Sequence, residues 1–196
     1  MEEKTFVDDI NRSVYDIKNE ENDSYRIKQG LTPEIVEKIS EEKHDPAWMR
    51  EFRLKSLEIY NNMQVPDWGP SIDGLNMDNI ATYVRANTNM KGDWKDVPEE
   101  IKDTFVRLGI PKAERESLAG VGAQYDSELV YHNVRKEVAD QGVVYTDMES
   151  ALTGEYADMV HEHFMKLITP QDHKFAALHG AVWSGGSFVY VPPTSL

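Results

Sequence analysis

Hydrophobic residues recur every three or four positions in several segments of the chain, which is the spacing of an amphipathic helix. The first predicted helix begins with Thr32 as its N-cap and Pro33 in its first position, and both residue types favour a helix start. Ile35, Val36 and Ile39 form its apolar stripe. Further helices are predicted at residues 98–108, 111–118, 128–140, 155–167 and 174–179, mostly bounded by glycine or proline.

The second predicted helix, residues 46–62, follows a break at residues 44–46 and carries a broad apolar stripe. Trp48, Phe52 and Leu57 belong to that stripe, which is typical of a helix that faces a core. The charged residues of this helix, Arg53 among them, are predicted to face water. Residues 64–74 contain four glycine or proline residues and are therefore predicted to be irregular.

Short strands are predicted between and after the helices. Residues 80–84 fit either a strand or a turn, and residues 143–145 are predicted to be a strand. Thr146 then stands three residues before Glu149, the spacing of a capping box at a helix start. Near the end of the chain, Gly185 and Gly186 mark a bend before a strand at residues 188–191. That strand has no partner among the predicted elements, so we expect it to begin a sheet that the chain does not contain.

These elements divide the chain into three regions. Residues 1–30 are polar and lack periodicity, and they are interpreted as a mobile or loosely packed arm, with plain disorder as the equal alternative. Its candidate docking residues are Val14, Tyr15 and Ile17. Residues 31–180 are predicted to form a helical domain, and residues 181–196 are predicted to begin a β-structure. The predicted fold class is mostly α, within the α+β class.

Composition narrows the class of protein. The chain has 196 residues, of which 40% are hydrophobic and 29% charged, the profile of a soluble globular domain. Its apolar runs are too short to cross a bilayer, and its first residues lack the features of a secretory signal, so we expect a cytoplasmic location. The absence of cysteine excludes a disulfide, a thiolate metal site and a cysteine nucleophile within these residues.

The charge balance is strongly acidic, with 35 acidic and 21 basic residues and a formal net charge of -14. Such a surface repels phosphate backbones and anionic lipid, which disfavours nucleic acid and membrane as partners. A solvated acidic surface is the simplest interpretation, and partners with basic patches are favoured.

Histidines on a predicted helix are the first candidates for a metal site. His161 and His163 flank Glu162, but residues two apart on a helix point to nearly opposite sides and cannot share one ion. Asp158 shares a face with His161 or with Glu162, yet such a pair is only half of a usual zinc or iron site.

Other histidines leave one alternative open. His173 and His179 lie nearby in sequence, but no pattern fixes their geometry. We therefore predict neither a metal site nor a cofactor in this chain. The alternative is a freestanding metal-binding protein or metalloenzyme that uses His132, His161, His163 and neighbouring carboxylates.

Two segments are rich in glycine, as catalytic and nucleotide-binding loops often are. Residues 184–187 read SGGS, which matches neither the nucleophile elbow of hydrolases nor a phosphate-binding loop, so a bend is predicted. Residues 120–123 read GVGA, and Tyr125 stands where a dinucleotide-binding loop needs its third glycine. A tight turn between two helices is predicted there instead. No catalytic residue is predicted, and the chain is not expected to be an enzyme.

Seven strings of the sequence, taken in order, form a recognisable pattern. They are PAWM at 46–49, EFRLKSL at 51–57, WGP at 68–70, PKAER at 111–115, AGVGAQYDSE at 119–128, KFAAL at 174–178 and AVWSGGSFVYVP at 181–192. Together they resemble the SufB/SufD family of iron–sulfur cluster assembly scaffolds, and the resemblance extends from about residue 14 to residue 192. The two most specific strings, at 119–128 and 181–192, are similar to the SufB branch rather than the SufD branch.

The resemblance implies both a fold and a function. Members of the family are scaffolds on which iron–sulfur clusters are built. SufB works with SufD and the ATPase SufC and receives sulfur through a carrier protein. The family fold is a helical amino-terminal region, a right-handed parallel β-helix and a helical carboxy-terminal region that contacts SufC. Residues 181–196 would then be the first strand of a truncated β-helix, and the chain a non-catalytic amino-terminal portion of the scaffold.

The chain departs from the family pattern at its end. After Pro192 the family continues into further strands, whereas residues 193–196 here read PTSL. The chain covers less than half of a family member. The cysteine and acidic residues that handle sulfur and clusters in the family lie in the missing part, as does the SufC contact, so those roles are assigned to no residue here. A truncated chain, a frameshift and a gene fragment all remain open.

Overall fold

A computed structural model of the chain describes residues 23–69, 71–87, 93–109, 120–125, 127–134 and 136–193. These residues contain seven α-helices and six strands, which confirms the α+β class. The helices are α1 (Pro33–Glu42), α2 (Ala47–Asn62), α3 (Glu99–Arg107), α4 (Lys136–Ala139), α5 (Met148–Thr153), α6 (Ala157–His163) and α7 (Lys174–Val182). The strands are β1 (Asp23–Arg26), β2 (Val84–Ala86), β3 (Gly120–Tyr125), β4 (Glu128–Val134), β5 (Val144–Asp147) and β6 (Ser187–Tyr190). The helix predicted at residues 111–118 lies outside the described residues.

Helices α1, α2 and α7 pack around a common core. The predicted cap of α1 is confirmed, since Thr32 Oγ1 accepts a hydrogen bond from the backbone N–H of Ile35. Val36, Leu57 and Ala181 are each at most 2% exposed where the three helices meet. The backbones of α2 and α7 approach closely at Gly180, where an added Cβ would lie 2.6 Å from Ser56 Oγ.

The first sheet packs on the other face of α1. Strands β1 and β2 pair antiparallel, and the neighbouring Ile27 and Tyr83 are buried with Ile35 and Ile39 of α1. Residues 23–30, which the sequence assigned to an amino-terminal arm, therefore include a strand and a core residue. The remaining residues of that arm, with Val14, Tyr15 and Ile17, lie outside the described residues.

The second sheet corrects two predictions. Residues 120–123 belong to β3 rather than to a turn between helices, and β3 pairs antiparallel with β4 in the register Gly120↔Val134. The helix predicted at 128–140 is wrong over residues 128–134, which form β4; only α4 remains helical. Ser127 is a residue type that favours a helix start, but here its backbone N–H donates to the Val84 carbonyl and its Oγ accepts from the Val84 N–H. This long-range pairing overrides the local capping signal.

The third sheet corrects the prediction for the terminal strand. Strand β6 has a partner within the chain, since it pairs antiparallel with β5 from Val144↔Tyr190 to Asp147↔Ser187. The described residues contain antiparallel strand pairs alone, so the start of a parallel β-helix stays a prediction.

Helix boundaries around this sheet also differ from the prediction. The cap of α5 is Asp147 rather than Thr146, and its Oδ1 accepts from the Ser150 N–H at 2.7 Å. Helix α6 is shorter than the predicted 155–167 because the chain turns at Phe164 and Met165, the latter with φ 47°. Helix α7 is longer than predicted and continues to Val182.

A third core joins α2, α5, α6 and the residue that follows α7. Met49, Ala151, Leu152, Val160 and Trp183 are each at most 4% exposed in this cluster. No helix among the described residues is both long enough and apolar enough to cross a bilayer.

Candidate functional site

The chain runs from the end of α7 into β6 through residues 183–186, which we call the lead-in segment. Arg53 of α2 holds its first residue, because Arg53 Nη1 donates to the Trp183 carbonyl at 2.8 Å. The same Nη1 lies 3.4 Å from the Ala181 carbonyl at the end of α7. The Arg53 guanidinium carbon lies 4.6 Å from the centre of the Trp183 ring, in cation–π contact. Arg53 thus fixes both the backbone and the side chain at the start of the lead-in segment.

A buried ion pair keeps Arg53 in this position. Its Nε lies 2.6 Å from Asp45 Oδ2, and both side chains are 0% exposed. Burial lowers the pKa of the Arg53 guanidinium, while the hydrogen bond and the charge of Asp45 oppose that effect. Asp45 lies in the corner between α1 and α2, where its backbone N–H donates to the Ser40 carbonyl. The pair therefore connects the α1–α2 corner with the end of α7.

Helix α5 holds the other end of the lead-in segment. Glu149 Oε1 accepts from the backbone N–H of Gly185 at 2.8 Å. The same oxygen lies 3.0 Å from Lys43 Nζ, and the Lys43 side chain is 4% exposed. The Met148 N–H donates to the Gly186 carbonyl at 3.1 Å. The lead-in segment is thus held by an ion-paired carboxylate and by backbone hydrogen bonding.

The two glycines of the lead-in segment have a backbone that other residues rarely adopt. Gly185 has φ 66° and Gly186 has φ 125°. A Cβ at Gly185 would also lie 3.1 Å from the Gln124 Cδ and Oε1 of β3. The predicted role of this SGGS segment as a bend before a strand is confirmed. The contacts of its residues position the chain at the start of β6.

Among the histidines singled out from the sequence, those whose side chains the structure describes do not come together as one group. The His161 ring lies 4.4 Å from the Trp48 ring. His163, His173 and His179 line one cavity beside α6 and α7. Among the described residues, no group of three or more histidine, aspartate or glutamate side chains is arranged to hold a metal ion. The His132 side chain is outside the described part of the structure.

The cavity that the three histidines line has a volume of about 500 Å³. His173 is the N-cap of α7, and its Nδ1 accepts from the Ala176 N–H at 3.1 Å. Partial burial of the ring and the positive charge of Arg53 lower the pKa of His179. Leu167 is 100% exposed beside the cavity and Ile168 is 62% exposed, so the lining combines imidazoles with open apolar surface.

Sequence reasoning missed the residues that hold the lead-in segment. Arg53 was predicted to face water, but it is fully buried. A signal was present, because Met49, Arg53 and Leu57 are spaced by four residues and so share one helix face. An arginine between two core residues on one face indicates a buried cation with a partner. Nothing in the sequence identified Asp45 as that partner.

The chain is similar to known iron–sulfur cluster assembly proteins. It is 51% identical over 184 residues to the iron–sulfur cluster assembly protein SufB of Bacillus subtilis. It is 46% identical over 184 residues to an iron–sulfur cluster assembly SufBD family protein of Staphylococcus haemolyticus, and equally to one of Staphylococcus aureus. Each alignment covers 94% of this chain but 39% of the relative, so the chain spans well under half of their length. No family model matches the chain.

Proposed function

This chain belongs to the SufB/SufD family, and from that premise we propose that it is the amino-terminal portion of an iron–sulfur cluster assembly scaffold of the SufB type. Its own role in that scaffold is non-catalytic: it anchors and orients the strand that leads into the rest of the protein. The single observation that supports this role is the lead-in segment, which Arg53, Glu149 and Met148 hold just before β6.

The construction of the lead-in segment suits an anchoring role. The Arg53–Asp45 pair is fully buried, so its partners are not free to exchange with water. Contacts from α2 and α5 fix residues 183–186 at both ends, and β5 then pairs with β6 over four residues. The direction in which the chain leaves β6 is therefore set by the helical region. In the proposed scaffold, this strand continues into a right-handed parallel β-helix.

A chimera tests the proposed role. In full-length SufB of Bacillus subtilis, the 184 aligned residues would be replaced by those of this chain. We expect the chimera to support iron–sulfur enzyme activity in cells that lack their own SufB. A chimera with Arg53→Leu should lose that activity, whereas one with Arg50→Leu, an exposed arginine of the same helix, should retain it. A soluble, folded chimera without activity would contradict the proposed function.

The partners that we propose are those of the Suf system. They are SufD, SufC and a sulfur-carrier protein, with the SufC contact assigned to the part of the scaffold that follows this chain. The chimera should co-purify with SufD and SufC. The isolated chain should not retain SufC, and its retention would contradict this division of contacts. We propose a cytoplasmic location, with the cluster as cargo of the whole scaffold rather than a cofactor of this chain.

The alternative of a freestanding metal-binding protein gains no support from the part of the chain that the structure describes. His161 lies against Trp48, while His163 lines the cavity with His173 and His179. Elemental analysis of the purified chain separates the two functions. Iron or zinc at one equivalent per chain, lost on His161→Ala, would favour the alternative over the scaffold role.

A further inference from the structure

The cavity beside α6 and α7 differs in charge from the rest of the molecule. Its nine lining residues include four with basic or imidazole side chains: His163, Lys166, His173 and His179. Among the residues that the structure describes, no aspartate or glutamate lines it, although the chain carries 35 acidic and 21 basic residues. The cavity is therefore a cationic or hydrogen-bond-donating surface on a protein whose net charge is -14.

The polar groups of the cavity are suited to donate hydrogen bonds. The Nδ1 atom of His173 accepts the Ala176 N–H, so the proton of the neutral ring is on Nε2. Lys166 is exposed and its ammonium carries three donors. The Asp172 carboxylate lies near the same nitrogen, but its Oδ2 is 3.9 Å from His173 Nε2, which is too long for a hydrogen bond.

The remainder of the cavity is apolar and open. Leu167 is fully exposed, and Ile168 is 62% exposed. Trp68, which is 71% exposed, lies at the margin, where its ring centre is 5.7 Å from that of His173. Adjacent large apolar side chains that are this exposed are typical of a binding surface. The volume of about 500 Å³ falls within the range of small-molecule sites.

We propose that this cavity binds a small apolar monocarboxylate, an alkyl or aryl group that carries one carboxylate. The carboxylate accepts hydrogen bonds from Lys166 and His173, and the apolar group covers Leu167 and Ile168. The proposal is independent of the scaffold function, because it uses no residue of the lead-in segment. The proposed preference for an anion runs against the net charge of the whole chain, which favours a cation over an anion of equal size.

The test compares two probes with the same apolar tail and opposite charge. Octanoate and octylammonium are titrated into the full chain at neutral pH, with affinity measured by calorimetry and location by tryptophan fluorescence. We expect octanoate to bind about tenfold more tightly, the effect of one charge-assisted hydrogen bond. Most of the fluorescence change should be lost in Trp68→Phe, since Trp94 and Trp183 are buried and the partly buried Trp48 packs against His161 and Phe164 outside the cavity lining. Equal affinity for the two probes, or preference for octylammonium, would overturn the proposal.

Matched variants distinguish the effect of the charge in the cavity from the effect of the net charge of the chain. Lys166→Glu should abolish the preference for octanoate, whereas Lys95→Glu, which changes the net charge equally at an exposed site, should retain it. Leu167→Asp should weaken octanoate binding about tenfold or more, and Leu75→Asp, at a 54% exposed leucine outside the lining, should not. Circular dichroism verifies that each variant is folded. If Lys166→Glu and Lys95→Glu behave alike, the cavity is not the site.

Discussion

Arg53 donates a 2.8 Å hydrogen bond to the backbone carbonyl of Trp183, a residue 130 positions later in the chain. The guanidinium also lies against the Trp183 ring and pairs with Asp45, so one side chain joins three distant parts of the structure. The strand that follows Trp183 is thus oriented by a residue of the second helix. The contribution of each of these residues to the free energy of unfolding can be measured with single and double variants.

Replacement of Arg53 should destabilise the fold strongly. In Arg53→Met the buried Asp45 carboxylate loses its partner, which costs about 3–5 kcal/mol of unfolding free energy. The double variant Arg53→Met with Asp45→Leu should recover part of the loss, because no uncompensated buried charge remains. Urea denaturation of the single and double variants gives both values. An Arg53→Met variant within about 0.5 kcal/mol of the parent would show that the pair is not important for stability.

A side chain at Gly185 should destabilise the lead-in segment. Gly185→Ala forces an unfavourable positive φ and brings a Cβ to 3.1 Å from the Gln124 side chain. We expect a loss of about 1–2 kcal/mol of unfolding free energy. Gly69→Ala is the matched control, since nothing lies within 4 Å of its Cβ position and its φ is not positive. If the two thermal shifts are equal, backbone conformation at residue 185 is not the cause.

The close approach of α2 and α7 predicts a compensating pair. Gly180→Ala should destabilise the protein by about 1–3 kcal/mol, because the added methyl would lie 2.6 Å from Ser56 Oγ and 2.9 Å from Ser56 Cβ. The change Ser56→Gly removes both atoms, so the double variant should be more stable than Gly180→Ala alone. Additive losses in the double-mutant cycle would contradict this contact.

Asp147 should contribute to the acid sensitivity of the fold. Burial raises the pKa of its carboxyl, but hydrogen bonds from Ser150 outweigh this effect, and the pKa lies below its ordinary value of 3.8. A lowered pKa in the folded state means that the contribution is present above pH 3.8 and is lost as pH falls through the folded pKa. Asp147→Asn should therefore show a smaller loss of stability on acidification than the parent, measured by urea denaturation between pH 6 and about pH 2.5. Identical pH profiles would contradict the prediction.

Strand β6 should promote self-association of the isolated chain. In the described residues it pairs with β5 alone, and Val189 is 61% exposed on it while the adjoining Val191 is 49% exposed. An exposed apolar edge strand is a template for pairing with another chain. Val189→Lys should shift the protein toward monomer in sedimentation or size-exclusion experiments, whereas Val106→Lys, at a similarly exposed valine of α3, should not. A strictly monomeric parent protein would contradict this prediction.

Predictions based on short-range signals agree best with the structure. Thr32 caps α1 through a contact three residues away, and Gly185 and Gly186 form the bend expected before a strand. The prediction for residues 128–134 failed because strand pairing decides their structure: they pair with β3, and the preceding Ser127 bonds to Val84, which is 43 residues earlier. The partner of β6 was missed for the same reason, since Val144 and Tyr190 are adjacent only after folding. Local hydrogen-bonding patterns do not contain this information.

The sequence by itself determined the start of α1, the absence of cysteine chemistry and the resemblance to the SufB/SufD family. These properties depend on residue identity and short spacing. Tertiary structure decided that Arg53 is buried with Asp45, that β6 pairs with β5, and that three histidines line one cavity. The physical reason is that burial and pairing depend on which distant segments meet. The same arginine is solvated on an isolated helix and becomes a structural link once the Trp183 carbonyl lies 2.8 Å away.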